Sequence, residues 1–150
     1  MKLAEALSER ADVRKRISQL ENRLQMNARV QEGEAPAENP ERLIAEMNGL
    51  IARLEELITR INLTNAATFS EGESMTAMLA RRDCLAIQVN VLRSFLAEAS
   101  STTPRGMRSE IKVLSTVSVE EYQKKADAVS KSLRELDVRI QSLNWTTELQ

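Results

Sequence analysis

Between Ser118 and Leu143 the residues Tyr122, Ala126, Val129, Leu133, Leu136, Ile140 and Leu143 recur at alternating steps of four and three. On an α-helix that spacing draws one apolar line, the a and d positions of a coiled coil or bundle. A chain that carries such a line must supply other elements to cover it. Ser118, with Glu121 three residues on, makes a capping box that starts this helix, predicted over about 118–143.

Three earlier stretches repeat the pattern. Over about 2–28, Leu3, Ala6, Val13, Ile17, Leu20 and Leu24 share a line, and Arg10 occupies the position between Ala6 and Val13. Over about 41–62 the line is Leu43, Met47, Leu50, Leu54, Leu57 and Ile61, preceded by Asn39 as N-cap and Pro40 at the first helical position. Ile44, Ile51 and Ile58 run beside it at seven-residue spacing, which predicts a broad face and the most deeply buried of the four helices. Over about 76–99, Met75, Met78, Leu85, Val89, Leu92 and Leu96 align, with Leu79, Ala86 and Phe95 widening the face and Arg82 interrupting it.

The joins read differently. Residues 31–40 hold Gly33, Pro36 and Pro40 among glutamates, a connector or an ordered arm that docks on a neighbouring subunit. Helical periodicity lapses after Ile61, and Glu71-Gly72 predicts a small hairpin over about 66–76. Ser100 to Gly106 is a linker, and β-branched residues over about 108–117 predict an extended segment that covers the bundle or pairs with the hairpin. The expected fold is mainly α, a single domain over 1–150: an antiparallel bundle of four long helices with a small β-hairpin or extended segment.

Charge and composition narrow the chemistry. The chain has 21 basic and 22 acidic residues, so no overall field draws it to nucleic acid or to an anionic membrane, and neither is an expected partner. It has no histidine, which removes the commonest general base and metal ligand. Its one cysteine, Cys84, lies among Leu85, Ile87 and Val89 and is expected to be a buried, inert thiol. No P-loop, GxGxxG, HExxH or GxSxG pattern occurs, so no catalytic residue, cofactor or metal is expected. Met1 runs into alternating charged and apolar residues without a leader, and the uncharged stretch Cys84–Leu92 is too short to span a membrane, so a cytoplasmic location is expected.

Three groups of residues are candidates for function. Arg10 and Arg82 lie on lines that should be covered and need carboxylates, of which Glu9, Asp12 and Asp83 are nearest in sequence. They form a structural ion-pair network in one reading and a polar interior pocket for a small anion or metal in the other. Arg105, Arg108 and Lys112 form a basic patch that could hold phosphate or dock the acidic residues Glu32, Glu34, Glu38 and Glu41. Trp145, just past the last helix, is expected to plug one end of the bundle or to contact another subunit. Long helices with broad apolar faces leave a stripe for a partner, so the expected role is a non-enzymatic, self-assembling structural or interaction protein, a homo-oligomer.

The stretches VQEGE-P-E (Val30 to Glu38), IN-TNAAT (Ile61 to Thr68), ARRD (Ala80 to Asp83), SEIK (Ser109 to Lys112) and RELD-RIQ-LNW (Arg134 to Trp145) resemble the small bacterial septicolysin-like family of helical proteins. The resemblance spans nearly the whole chain. The family's name implies a pore-forming cytolysin as an alternative role, and no functional residue carries over from it.

Overall fold

The computed structural model describes residues 1–104, 106, 108 and 111–150. It is mainly helical: α1 (Leu3–Met26), α2 (Pro40–Ala67), α3 (Met75–Ala99) and α4 (Val119–Thr146), with a two-stranded antiparallel sheet, β1 (Phe69–Ser70) and β2 (Glu73–Ser74). The chain divides into two compact units, one of Met1–Ser74 with Leu143–Gln150, the other of Met75–Ser142.

In the first unit α1 and α2 pack antiparallel, and three ion pairs fix their register. Glu9 meets Arg53, Arg16 meets Glu46, and Arg23 meets Glu38. Each heptad forward on α1 is matched by seven or eight residues back along the chain, the last step ending at Glu38 just before α2 begins. The predicted lines face the interior: Leu3, Ala6, Val13 and Leu20 are buried on α1, and Leu43, Leu50, Leu57 and Ile61 on α2. Burying one such leucine contributes roughly 1.5–3 kcal/mol. Both lines run on, at the same spacing, into a polar residue that is also buried: Asn27 after Leu24, and Thr64 after Ile61.

Those two polar residues close the ends of their helices. The Asn27 side chain donates to the Arg23 carbonyl at 2.8 Å, and its oxygen accepts from the Glu38 amide at 2.9 Å, which turns the 31–38 segment back toward α1. Asn39 then caps α2, accepting from the Glu41 amide at 2.9 Å, with Pro40 at a position that needs no backbone donor. The stretch Asn62–Ala67, expected to leave the helix, continues it. Thr64 holds the interior position there, and its hydroxyl donates to the Arg60 carbonyl at 2.8 Å. The helix ends where the Thr68 amide and hydroxyl both donate to the Thr64 carbonyl.

The hairpin is accordingly shorter than expected. Phe69 pairs with Ser74 and Ser70 with Glu73, around Glu71 and Gly72, whose φ of 53° and 81° are both left-handed. Two left-handed central residues make the turn whose twist matches a tight hairpin.

The residues after Leu143 return to this unit. Lys2 and Glu148 form an antiparallel bridge in which the Leu3 amide donates to the Thr147 carbonyl and the Leu149 amide to the Met1 carbonyl, each at 2.9 Å. The Gln150 amide donates to Thr64 Oγ1 at 3.0 Å, and Arg60 Nε donates to the Gln150 carbonyl at 2.6 Å. Leu149 is buried beneath this clasp. The first-turn amide of Leu3, which a helix leaves without an internal partner, is thereby satisfied from the other end of the chain.

In the second unit α3 and α4 also run antiparallel. Phe95 meets Tyr122 edge to face, ring centres 5.7 Å apart, while Arg81 shares a groove with Ser132, Glu135, Leu136 and Arg139. Met75, Met78, Val89 and Leu96 are buried on α3, and Ala126, Leu136 and Ile140 on α4, as their periodicity predicts. The described residues of the 108–117 segment form no strand. The Thr103 amide donates to the Val113 carbonyl, and the Val113 amide donates to Thr103 Oγ1 at 2.7 Å, so Val113 is tied back to the linker.

The second row of α2 is less covered than the broad face predicts: Ile44 and Ile51 are 43% and 45% exposed, and Ile58 is half-buried.

Candidate interaction surface

A helix advances about 100° per residue. Leu85 and Val89 take interior positions on α3, which turns Cys84 and Gln88 outward. Ala80, Cys84, Ile87, Val91, Ser94 and Glu98 then fall on one outer line at steps of four and three, and all six are exposed. Ile87 is 64% exposed and Val91 62%. Cys84 is exposed as well, against the expectation of a buried thiol, because its neighbour in sequence and not Cys84 itself holds the seam position. From Cys84 to Leu92 the helix carries no charge on any side. An exposed helix face is usually laced with Lys, Glu and Arg. Between Cys84 and Leu92 the exposed residues are a thiol, two branched aliphatics and two amides, and Glu98 closes the line.

Of the pairings expected for the seam arginines, Arg82 with Asp83 is present on α3, while Glu9 on α1 is taken by another cation. Glu9 turns to Arg53 on α2 and not to Arg10. Arg53 Nε and Nη2 grip the two carboxylate oxygens at 2.7 and 2.9 Å, and its remaining nitrogen reaches Glu56 at 2.7 Å. These hydrogen bonds hold the Glu9 carboxyl below the usual carboxylate range, with partial burial opposing and the positive charges of Arg53 and Arg60 adding to the effect. Glu56 is lowered in the same way, and Arg53 is raised in turn. Asp12 is exposed at the rim of an open groove of about 550 Å³ that also meets Lys15, Arg16 and Gln19. Arg82 bonds its neighbour Asp83 through Nε and Nη2 at 3.1 and 2.9 Å. Arg10 stays half-buried on α1. Adjacent residues of both signs line the groove, which gives neither an anion nor a cation a consistent field.

The basic patch fares similarly. Arg108 and Lys112 are exposed, and Arg105 lies outside the described residues. Of the acidic residues expected to reach that patch, Glu38 is held by Arg23 on α1, whose guanidinium lowers its pKa by hydrogen bonding, while Glu32, Glu34 and Glu41 are exposed. Trp145 is 65% exposed, so it is not a plug: Leu143 and Asn144 take the inward positions, and the next residue turns out to solvent. Among the described residues no cluster of three or more Cys, Asp or Glu could hold a metal, and no helix is long and apolar enough to cross a membrane.

Reading the sequence missed Arg53, Asn27 and Thr64. Arg53 becomes visible only once the register of α1 on α2 is known. Asn27 and Thr64 carry a signal that was present, since each falls at the next step of its own apolar line.

A family model, described as a family of unknown function (DUF6847), matches residues 10–149. Among solved structures, a functionally unknown conserved protein from Corynebacterium diphtheriae is similar to this chain. It shares 44% identity and a TM-score of 0.93, with 100% of this chain and 99% of that one covered. No curated protein matches.

Proposed function

The chain belongs to that family of unknown function, DUF6847, and from this premise we propose that it acts by binding protein, in the first place other copies of itself, as a non-enzymatic self-assembling module. The observation that carries this reading is the outer line of α3, where Ile87 and Val91 remain more than 60% exposed within a nine-residue uncharged run. Such a face costs free energy in water and gains it when covered, at roughly 25 cal/mol per Å² of apolar surface. A second copy meets no long-range repulsion, because the net charge is only −1.

Sedimentation velocity over a micromolar concentration series tests the proposal. The wild type is expected to assemble. Ile87→Asp and Val91→Asp, both at solvent-facing positions, are expected to keep the helical circular dichroism of the parent and to sediment as monomers. A wild type that is monomeric throughout the series, or variants that assemble as the parent does, would overturn it.

A further inference from the structure

Residues 147–150 lie on the first unit as an extended peptide lies on a receptor. Their backbone is read by the Leu3 amide, which donates to the Thr147 carbonyl, and by the Met1 carbonyl, which accepts from the Leu149 amide. Thr64 Oγ1 accepts from the Gln150 amide at 3.0 Å, and Arg60 Nε donates to the Gln150 carbonyl at 2.6 Å. Two side chains add selectivity: Glu148 pairs with Lys2, and Leu149 is buried. We infer that this seat is a peptide-binding site, occupied at rest by the chain's own segment, and that it takes the same segment of a second copy in its place.

The seat is fixed by bonds that the segment does not make. The Lys2 amide donates to Glu5 Oε2 at 2.7 Å, Arg60 Nη1 meets Glu56 at 3.3 Å, and the Thr64 hydroxyl donates to the Arg60 carbonyl at 2.8 Å, which leaves its oxygen able to accept. Arg60 and Thr64 stand one turn apart on α2 and so project to one side. These groups keep their places when the segment leaves, which spares a ligand the cost of ordering them.

The occupant is held more lightly. Its pairing with the start of the chain is an isolated bridge and not a ladder, Glu148 and Gln150 are exposed, and Leu149 is its buried anchor. Segments held in this way open locally, without unfolding of the domain. Recognition through backbone, with one side-chain pocket for selectivity, is the mode by which an extended peptide adds to a free strand edge. The ligand class is therefore an extended peptide in which an acidic residue precedes leucine. A second copy carries that segment just past the end of α4 at Thr146, where four extended residues reach about 13 Å at about 3.3 Å each. Exchanged both ways, the contact closes a two-fold pair. It uses no residue of α3 and goes beyond the surface proposed above.

The experiment is a fluorescence-anisotropy titration of full-length protein into a fluorescein-labelled peptide of residues 144–150. Leu149→Asp, whose own segment no longer seats, is expected to bind the peptide, and adding Arg60→Met to it should weaken binding several-fold. The wild type should bind about tenfold more weakly than Leu149→Asp, because its tethered segment competes. A scrambled peptide should not bind. Absence of saturable binding by a Leu149→Asp protein that keeps the parent's helical circular dichroism would overturn the inference, as would equal binding by the wild type or by the scrambled peptide. Hydrogen exchange of the wild type decides the matter if that variant does not fold. The Leu149 and Gln150 amides should exchange far faster than those of Leu57 and Ile61, and equal rates would mean that the segment leaves only on global unfolding and would overturn the inference. A flat titration leaves the α3 proposal untouched, since sedimentation tests that one separately.

Discussion

Thr64→Val is a substitution whose cost can be worked from the clasp. Thr64 is 1% exposed, and valine keeps its shape while removing the hydroxyl. The Arg60 carbonyl loses only a second partner, since it retains its helical backbone bond. The loss falls on the Gln150 amide, which donates to Thr64 Oγ1 at 3.0 Å in a partly buried setting. A net hydrogen bond contributes about 1 kcal/mol, and the donor left without an acceptor raises the total to about 1–2 kcal/mol. With a urea m-value of roughly 2 kcal/mol/M, the midpoint should fall by about 0.5–1 M. The decisive measurement is the same substitution in a chain lacking Gln150. There the donor is already gone, so Thr64→Val should cost only a few tenths of a kcal/mol, leaving a coupling of about 1 kcal/mol between the two changes. Equal losses in both backgrounds would refute the reasoning and place the value of Thr64 in its packing or in its bond to Arg60.

Two further predictions follow from the geometry. Glu9, Glu38, Glu56 and Glu148 all have carboxyls lowered by hydrogen bonds from Arg53, Arg23, Arg53 and Lys2 respectively. Their contribution is therefore complete above the ordinary glutamate pKa of about 4.3 and is lost as the pH falls through the lower folded values. Urea midpoints in steps across that acid window should drop more steeply for the wild type than for Arg53→Met, and parallel slopes would contradict the assignment. Trp145→Ala should change stability by no more than about 0.5 kcal/mol, as expected of an exposed side chain. A loss of several kcal/mol on chemical unfolding would show that the ring is covered after all.

The four helices were legible because burial on one side writes itself into a sequence as a period. Every residue placed on the α1 and α4 lines is buried or half-buried, and so are those on the lines of α2 and α3, the two interrupting arginines included. What the period cannot show is which neighbour supplies a polar partner. Arg53 gives no hint in its own surroundings that Glu9, 44 residues earlier, will face it. Apolar composition also misled where it was taken without angle. Ile44 and Ile51, Cys84 and Trp145 looked interior by residue type, yet each is exposed, the first three on rows outside the seam. The clasp was illegible because its hydrogen bonds to Thr147, Leu149 and Gln150 each have a backbone atom on at least one side, and every residue carries those alike. For the same reason the candidate surface on α3 emerges only by subtraction: its residues are those that the seam leaves over.

The clasp also has a consequence in time. Residues 143–150 complete a unit whose other members are residues 1–74, so that unit cannot finish forming until the whole of 75–142 has been traversed. Closing a flexible loop of that full span, 147 residues between Met1 and Glu148, costs about 4 kcal/mol in chain entropy. The antiparallel course of α3 and α4 brings residues 75 and 142 toward the same end once that unit has folded, which shortens the loop still to be closed. The two halves of the chain are thus coupled in their order of folding through connectivity alone. A substitution that loosens Val89 or Leu136 should be felt as slower closure at Thr64.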